Sequence, residues 1–344
     1  MSTFRERVLE FWKWFPTQTS DIKSAFTTDD PGAALAEFRE SVREKVGGLS
    51  WVFGPGAEEG GHSFTVSGEG QKPKQLLSQF WLENAKPVPG WDFHASRQPS
   101  DPETLQQMQI QVGENVVDMD TVLIATNIDE ENEQVDIVAW HPAFENLPDN
   151  NRFQILFLLL DEALGEFGTQ NRLGDVKFQS VPGAIPLIEL RPYLDKLWQE
   201  KEWSDLSPLE TYASYQAGEP AVGFPRADTI AGHTCLRVVF EFMNNEGPLD
   251  ENPIEGTGAE MFYVQLDKVG AEHHADPLEY RNSVEEEIGR QLAGGGGYVT
   301  GAATGIENSY VDLIIFDGDR SIAAIKDAVG KTHLGDFEIL PFYN

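Results

Sequence analysis

The sequence predicts an α+β protein of two domains, each mainly antiparallel sheet with helices packed against it. Three observations carry that expectation. Stretches with apolar residues every three to four positions alternate with stretches where they fall on every second position, so helices and half-buried strands are interleaved. Residues 201–228 break this regularity with Pro208, Gly218, Pro220, Gly223 and Pro225. The 344 residues are 40% hydrophobic and 11% aromatic, enough to build a core on each side of that break and too apolar for a disordered chain. The expected organisation is an N-terminal α+β domain over 1–200, a linker over 201–228 and a C-terminal α+β domain over 229–344.

Residues 3–15 place Phe4, Val8, Leu9, Phe11, Trp12 and Phe15 at helical spacing, and Pro16, which has no N–H to donate, supplies a stop. Trp12 and Trp14 cannot both face inward from one helix, so at least one is a candidate anchor for another domain, a second copy or a partner. Residues 33–46 repeat the helical pattern through Leu35, Phe38, Val42 and Val46 before Gly47 and Gly48 end it. Trp51 and Phe53, then Phe64 and Val66, alternate on either side of a Gly- and Glu-rich loop and predict a hairpin. A helix opened by Pro73 carries Leu76, Leu77, Phe80 and Trp81, and a strand follows at 91–96.

A weak strand is expected at 108–112 and two firmer ones at 121–126 and 135–140, around an acidic turn. The longest apolar run, FQILFLLL at 153–160, has the recurrence of a core helix, with Phe157 and Leu158 making it apolar nearly all round. Asp161 and Glu162 follow it directly. Ionised groups at the end of a buried run must find partners or titrate upward, and Arg172, Lys177 or backbone N–H groups are the expected partners. Adjacent helical positions diverge by about 100°, which argues against both acids addressing one substrate. Gly165 and Gly168 can end the helix before a strand at 176–181 and a helix at 185–198.

Beyond the linker, strands are expected at 233–243, 260–267, 298–303, 310–316 and 337–342, with helices at 277–292 and 321–329. The order β-β-α-β-β-α-β contains the antiparallel-sheet-plus-helices arrangement of a ferredoxin-like unit.

Asp and Glu number 57 against 25 Lys and Arg, a net charge of −32 spread along the chain. That field repels phosphate backbones and anionic lipid, which argues against nucleic-acid or membrane binding and is compatible with a basic protein partner. Cys235 is the single cysteine, so an intrachain disulfide and a cysteine zinc cluster are excluded and a reducing cytoplasm is expected. Charged residues interrupt the N-terminal apolar positions as no secretory leader would, and no run approaches the roughly twenty apolar residues of a membrane span.

The candidate reactive motifs each lack an essential part. Gly294 to Gly297 leave a helix and enter a strand, the reverse of a phosphate cradle, and Gly330, Lys331 and Thr332 lack the first glycine of a Walker loop, where Ile325 stands. Ser63 lacks the second glycine of a nucleophile elbow. Of seven histidines only His273 and His274 cluster, with Asp276 close by, and no pair has helical metal-ligand spacing. Asp312 interrupts an apolar strand, and Asp317 and Asp319 suit a turn and a helix cap. No catalytic residue, cofactor or metal is therefore expected.

The runs FWKWF at 11–15, WVFG at 51–54, LLLDEALGEF at 158–167 and YVDLIIFDGDRS at 310–321 resemble patterns of uncharacterised bacterial proteins grouped under domains of unknown function. The second domain also resembles, in topology and acidity, the ferredoxin-like regulators of the ribonuclease E inhibitor B type. These resemblances imply a bacterial cytoplasmic protein without assigning an activity.

The expected function is that of a non-enzymatic, acidic regulatory or interaction protein, of inhibitor or immunity type, that binds another protein through exposed aromatics rimmed by carboxylates. The alternative is an enzyme or small-ligand binder using a cleft between the domains. Trp12, Trp14, Asp161, Glu162, Asp312 and His233 are the candidate site residues. Homodimerisation through the first helix or an exposed sheet edge is compatible with either reading.

Overall fold

The computed structural model describes residues 2–112, 115–218, 221, 223–333 and 335–344; Pro220 of the expected linker lies outside them. The architecture is α+β. The chain opens with α1 (Phe4–Ala25), α2 (Pro31–Ala34) and α3 (Ala36–Lys45), then β1 (Ser50–Pro55), β2 (His62–Ser67), α4 (Lys72–Glu83) and β3 (Trp91–His94). β1 and β2 form the expected antiparallel hairpin, while α4 carries the chain over so that β3 runs parallel to β2.

A second group follows: α5 (Pro102–Gln107), the hairpin β4 (Gln109–Val112) and β5 (Asn115–Asp118), then β6 (Leu123–Asp129), β7 (Gln134–Trp140), α6 (Asp149–Leu164), α7 (Glu166–Arg172), β8 (Leu173–Phe178), β9 (Ile185–Pro186) and α8 (Leu190–Lys201). Its main sheet has four strands in the order β8-β7-β6-β9. The remainder is β10 (Ala213–Gln216), β11 (Thr229–Thr234), α9 (Val238–Asn244), β12 (Glu260–Leu266), α10 (Pro277–Leu292), β13 (Gly297–Gly305), β14 (Ser309–Ile315), α11 (Asp319–Thr332) and β15 (Phe337–Pro341). These strands make one six-stranded antiparallel sheet ordered β10-β11-β13-β14-β12-β15.

Alternation along β12 and β14 sends side chains to two different cores. Val264, Val311, Leu313 and Ile315 meet α10 and α11 through Val284, Ile288, Ile325 and Val329. On the other face Tyr263, Tyr310, Ile314 and Phe316 join Phe4, Phe11, Trp12, Phe64 and Trp81 from the N-terminal elements. Residues 105–198 bury their own cluster, with Leu156, Leu159 and Leu160 of α6 against Ile124, Ile137 and Leu194. Apolar packing thus joins the N-terminal elements to the C-terminal sheet and leaves the middle of the chain a separate core. The Pro- and Gly-rich segment shows where regular structure lapses, not which faces meet, and even there β10 pairs with β11.

Three local expectations are corrected. α1 runs through Pro16 to Ala25: Ile22 and Ala25 are buried beyond it, so tertiary packing carries the helix past a residue that cannot donate to the Trp12 carbonyl. Residues 233–243 are not one strand: β11 ends at Thr234, and Val238, Val239 and Phe242 are buried from α9. On α6, Phe157 is 42% and Leu158 55% exposed, so the helix has an apolar face in solvent as well as one in the core.

Candidate functional site

The site is organised by the break after α6. Gly165 sits at φ +76, and a Cβ there would lie 2.9 Å from Pro99 Cδ and 3.0 Å from the Arg97 carbonyl oxygen. This close approach turns the chain from α6 into α7 and leaves Glu166 only 3% exposed. Its carboxylate accepts from Ser67 Oγ at 2.7 Å, Gln75 Nε2 at 2.8 Å and the Gly70 backbone N–H at 3.0 Å. All three donors belong to the N-terminal elements. The Glu166 N–H donates to the Arg97 carbonyl at 3.0 Å, and Gln170 Nε2 donates to the Gly70 carbonyl at 2.7 Å. A polar seam, centred on one buried carboxylate, therefore joins two separately packed cores here.

A pocket of about 340 Å³ opens along this seam. Phe157, Leu158, Asp161 and Glu162 of α6 form one wall, and Glu69 and Arg97 stand on the other. Both predicted acids line it despite their angular divergence, since the pocket wraps around the end of α6. Glu162 accepts from Ser100 Oγ at 2.5 Å, and its carbonyl accepts the Ser100 N–H at 2.8 Å. Asp161 has no ion-pair partner among the described residues. Burial pushes its carboxyl up to about 6; Glu166 and Glu162 add to that, while Thr169 and Arg97 oppose it.

The expected partners are engaged elsewhere. Arg172 binds Asp195 and Asp205 at 2.6 and 2.7 Å, and Lys177 binds Asp175 at 2.8 Å. Arg97, the one cation among the described residues of the pocket wall, is paired with Glu69 at 2.7 Å. The pocket therefore presents more carboxylate than guanidinium, with an apolar lip beside it. It can receive a cationic group, and Asp161 can exchange a proton near pH 6. Among the described residues no group of three or more His, Cys, Asp or Glu is disposed to hold a metal ion.

The other predicted residues do not converge on it. Asp312, at the middle of β14, forms an ion pair with Arg226; both side chains are fully buried. The Arg226 guanidinium lies 4.8 Å from the Tyr310 ring centroid and 5.1 Å from that of Tyr263. Asp312 is thus sealed from any partner, because a charge in the middle of a covered sheet face persists only with its counter-ion. His233 lies on β11, with Nε2 3.4 Å from Glu285 Oε1 and its ring against Tyr212. Trp12 is buried and donates its indole N–H to the Trp81 carbonyl at 2.8 Å, so it anchors no partner. Trp14 stacks on Phe38, which α3 supplies as a second wall beside α1. Asp276 caps α10 through the Glu279 N–H, and His274 Nδ1 accepts from the Asp276 N–H, so this cluster forms a helix start.

Glu166, Arg97, Glu69 and Ser100 were not singled out from sequence. A glycine followed by an acid directly after an apolar helix is a usable signal for Glu166; the other three have no local mark. Among the described residues no helix is long and apolar enough to cross a membrane. No family model, curated protein or solved structure matches the chain.

Proposed function

We propose that this chain is a non-enzymatic, acidic interaction protein, of inhibitor or immunity type, which docks a basic segment of a partner protein at the end of α6. Phe157 and Leu158 would cover the aliphatic stem of an arginine or lysine, while Asp161 and Glu162 receive its charged head. The observation that carries this reading is the exposure of Phe157 and Leu158, 42% and 55%, beside a pocket rich in carboxylate. The net charge of −32 supports it by steering a basic partner toward the surface. The run β12-α10-β13-β14-α11-β15, with strands ordered β13-β14-β12-β15, supports a ferredoxin-like reading of the C-terminal unit as the scaffold. The single buried Cys235 fits a reducing, cytoplasmic setting.

A second reading, a small cationic ligand or proton-transfer chemistry in the same pocket, draws on the position of the pocket between two cores and on Asp161 titrating near 6. Capture of partners by the full chain at low and moderate salt separates the two. The interaction reading expects a stoichiometric basic protein retained by the wild type and lost with Leu158→Asp. Equal retention by the Leu158→Asp variant overturns it, and saturable binding of a small cation with no protein partner favours the second reading.

A further inference from the structure

Among the described residues β1 is an edge strand: it pairs with β2 on one side and with no strand on the other. α3 runs beside that free edge, and between them lies a groove of about 710 Å³. Leu35, Trp51 and Phe53 give it an apolar floor, and Arg39 and Arg43 stand over it from α3. Val52, on the strand itself, is 48% exposed. Arg39 makes no ion pair with any described residue, and the one ionic contact of Arg43 is a 3.9 Å approach to Glu40 with both side chains largely in solvent. In a chain of net charge −32, this groove lines itself with more arginine than acid.

The spacing matches one kind of occupant. Arg39 and Arg43 are four residues apart on a helix, a rise of about 6 Å. Alternate residues on an extended strand are separated by about 6.6 Å. A strand laid along β1 with acids at alternate positions would meet both guanidiniums while its backbone completes the open edge of the sheet. At physiological salt, charges beyond about 8 Å are largely screened, so the groove's own balance, Arg39 and Arg43 against the single acid Glu40, outweighs the remote acidity of the chain.

We infer that the groove between α3 and β1 is a strand-addition site for an extended segment of a partner protein, acidic at alternate positions and apolar between them. This surface is independent of the α6 pocket and takes the opposite charge.

Selection of random linear peptides on the full chain tests it, followed by amide hydrogen exchange with the best peptide bound. The expected result is enrichment of peptides with alternating acids and slowed exchange in β1. Binding should weaken at least tenfold, about 1.4 kcal/mol, in Arg39→Glu/Arg43→Glu and be retained in Arg39→Lys/Arg43→Lys. Both arginines are exposed, so circular dichroism should show the variants folded. Failure to enrich acidic peptides, whether or not basic ones are recovered through the α6 pocket, equal binding of the acidic peptide by the charge-reversed variant, or sedimentation showing the edge occupied by a second copy of the chain would each overturn it.

Discussion

Replacing Glu166 with alanine tests the seam on which the α6 pocket depends. The carboxylate accepts four hydrogen bonds, of 2.7, 2.8 and 3.0 Å and a longer one of 3.4 Å from the Arg97 N–H, and Ser67 and Gln75 are themselves buried. Hydrogen bonds to a charged group contribute about 1.5–3 kcal/mol each, and a buried donor left unpaired costs about 1–3 kcal/mol. The four donors share one carboxylate, and removing it also removes its own desolvation cost, so the terms do not add in full. A net loss of about 3–5 kcal/mol is expected for Glu166→Ala. Glu166→Gln, which keeps the shape and one acceptor oxygen, should lose about 1–3 kcal/mol. Urea unfolding followed by tryptophan fluorescence and circular dichroism measures both, and amide exchange should quicken around residues 97–100 and 162–170. A Glu166→Ala variant within about 0.5 kcal/mol of the parent would refute the reasoning, since surface substitutions commonly fall in that range.

Asp161 should oppose folding at neutral pH. Its folded value, about 6, lies above that of an unfolded aspartate, so the penalty is absent below about pH 4, grows as pH rises to about 6 and is complete above it. Asp161→Asn should therefore stabilise the chain by about 1–2 kcal/mol at pH 7.5, allowing for screening at the open pocket, and by almost nothing at pH 4. Denaturant titrations at the two pH values check this. Asp312→Ala strands the buried Arg226 charge and should cost about 3–5 kcal/mol, detectable as a lowered urea midpoint. Leu158→Asp changes an exposed position and should shift stability by less than about 0.5 kcal/mol while abolishing partner retention, so calorimetry and capture should disagree for this variant.

Much of the fold was legible because periodicity is local. The helix at Pro277–Leu292 and the hairpin of β1 and β2 follow from apolar spacing and turn residues alone. Pro16 misled because residues buried beyond it carry α1 onward, a tertiary override that the local sequence hides. Residues 238–242 misled because β-branched and aromatic residues at a helical interval also suit a strand. Asp161 and Glu162 were visible as acids set against an apolar run, but Glu69, Arg97 and Ser100 reach them from more than sixty residues away. The apolar series through α6 could not reveal that Phe157 and Leu158 face water, because it records which residues are apolar and not which faces are covered.

A carboxyl carbon NMR titration of Asp161 and Glu162, with and without an arginine- and leucine-rich peptide, tests most directly whether this pocket receives a cationic side chain. The proposal expects the Asp161 midpoint to fall from about 6 as a guanidinium docks beside it, with the Phe157 ring resonances shifting in step. An Asp161 midpoint and Phe157 resonances that stay in place while the peptide is bound to the chain would contradict it.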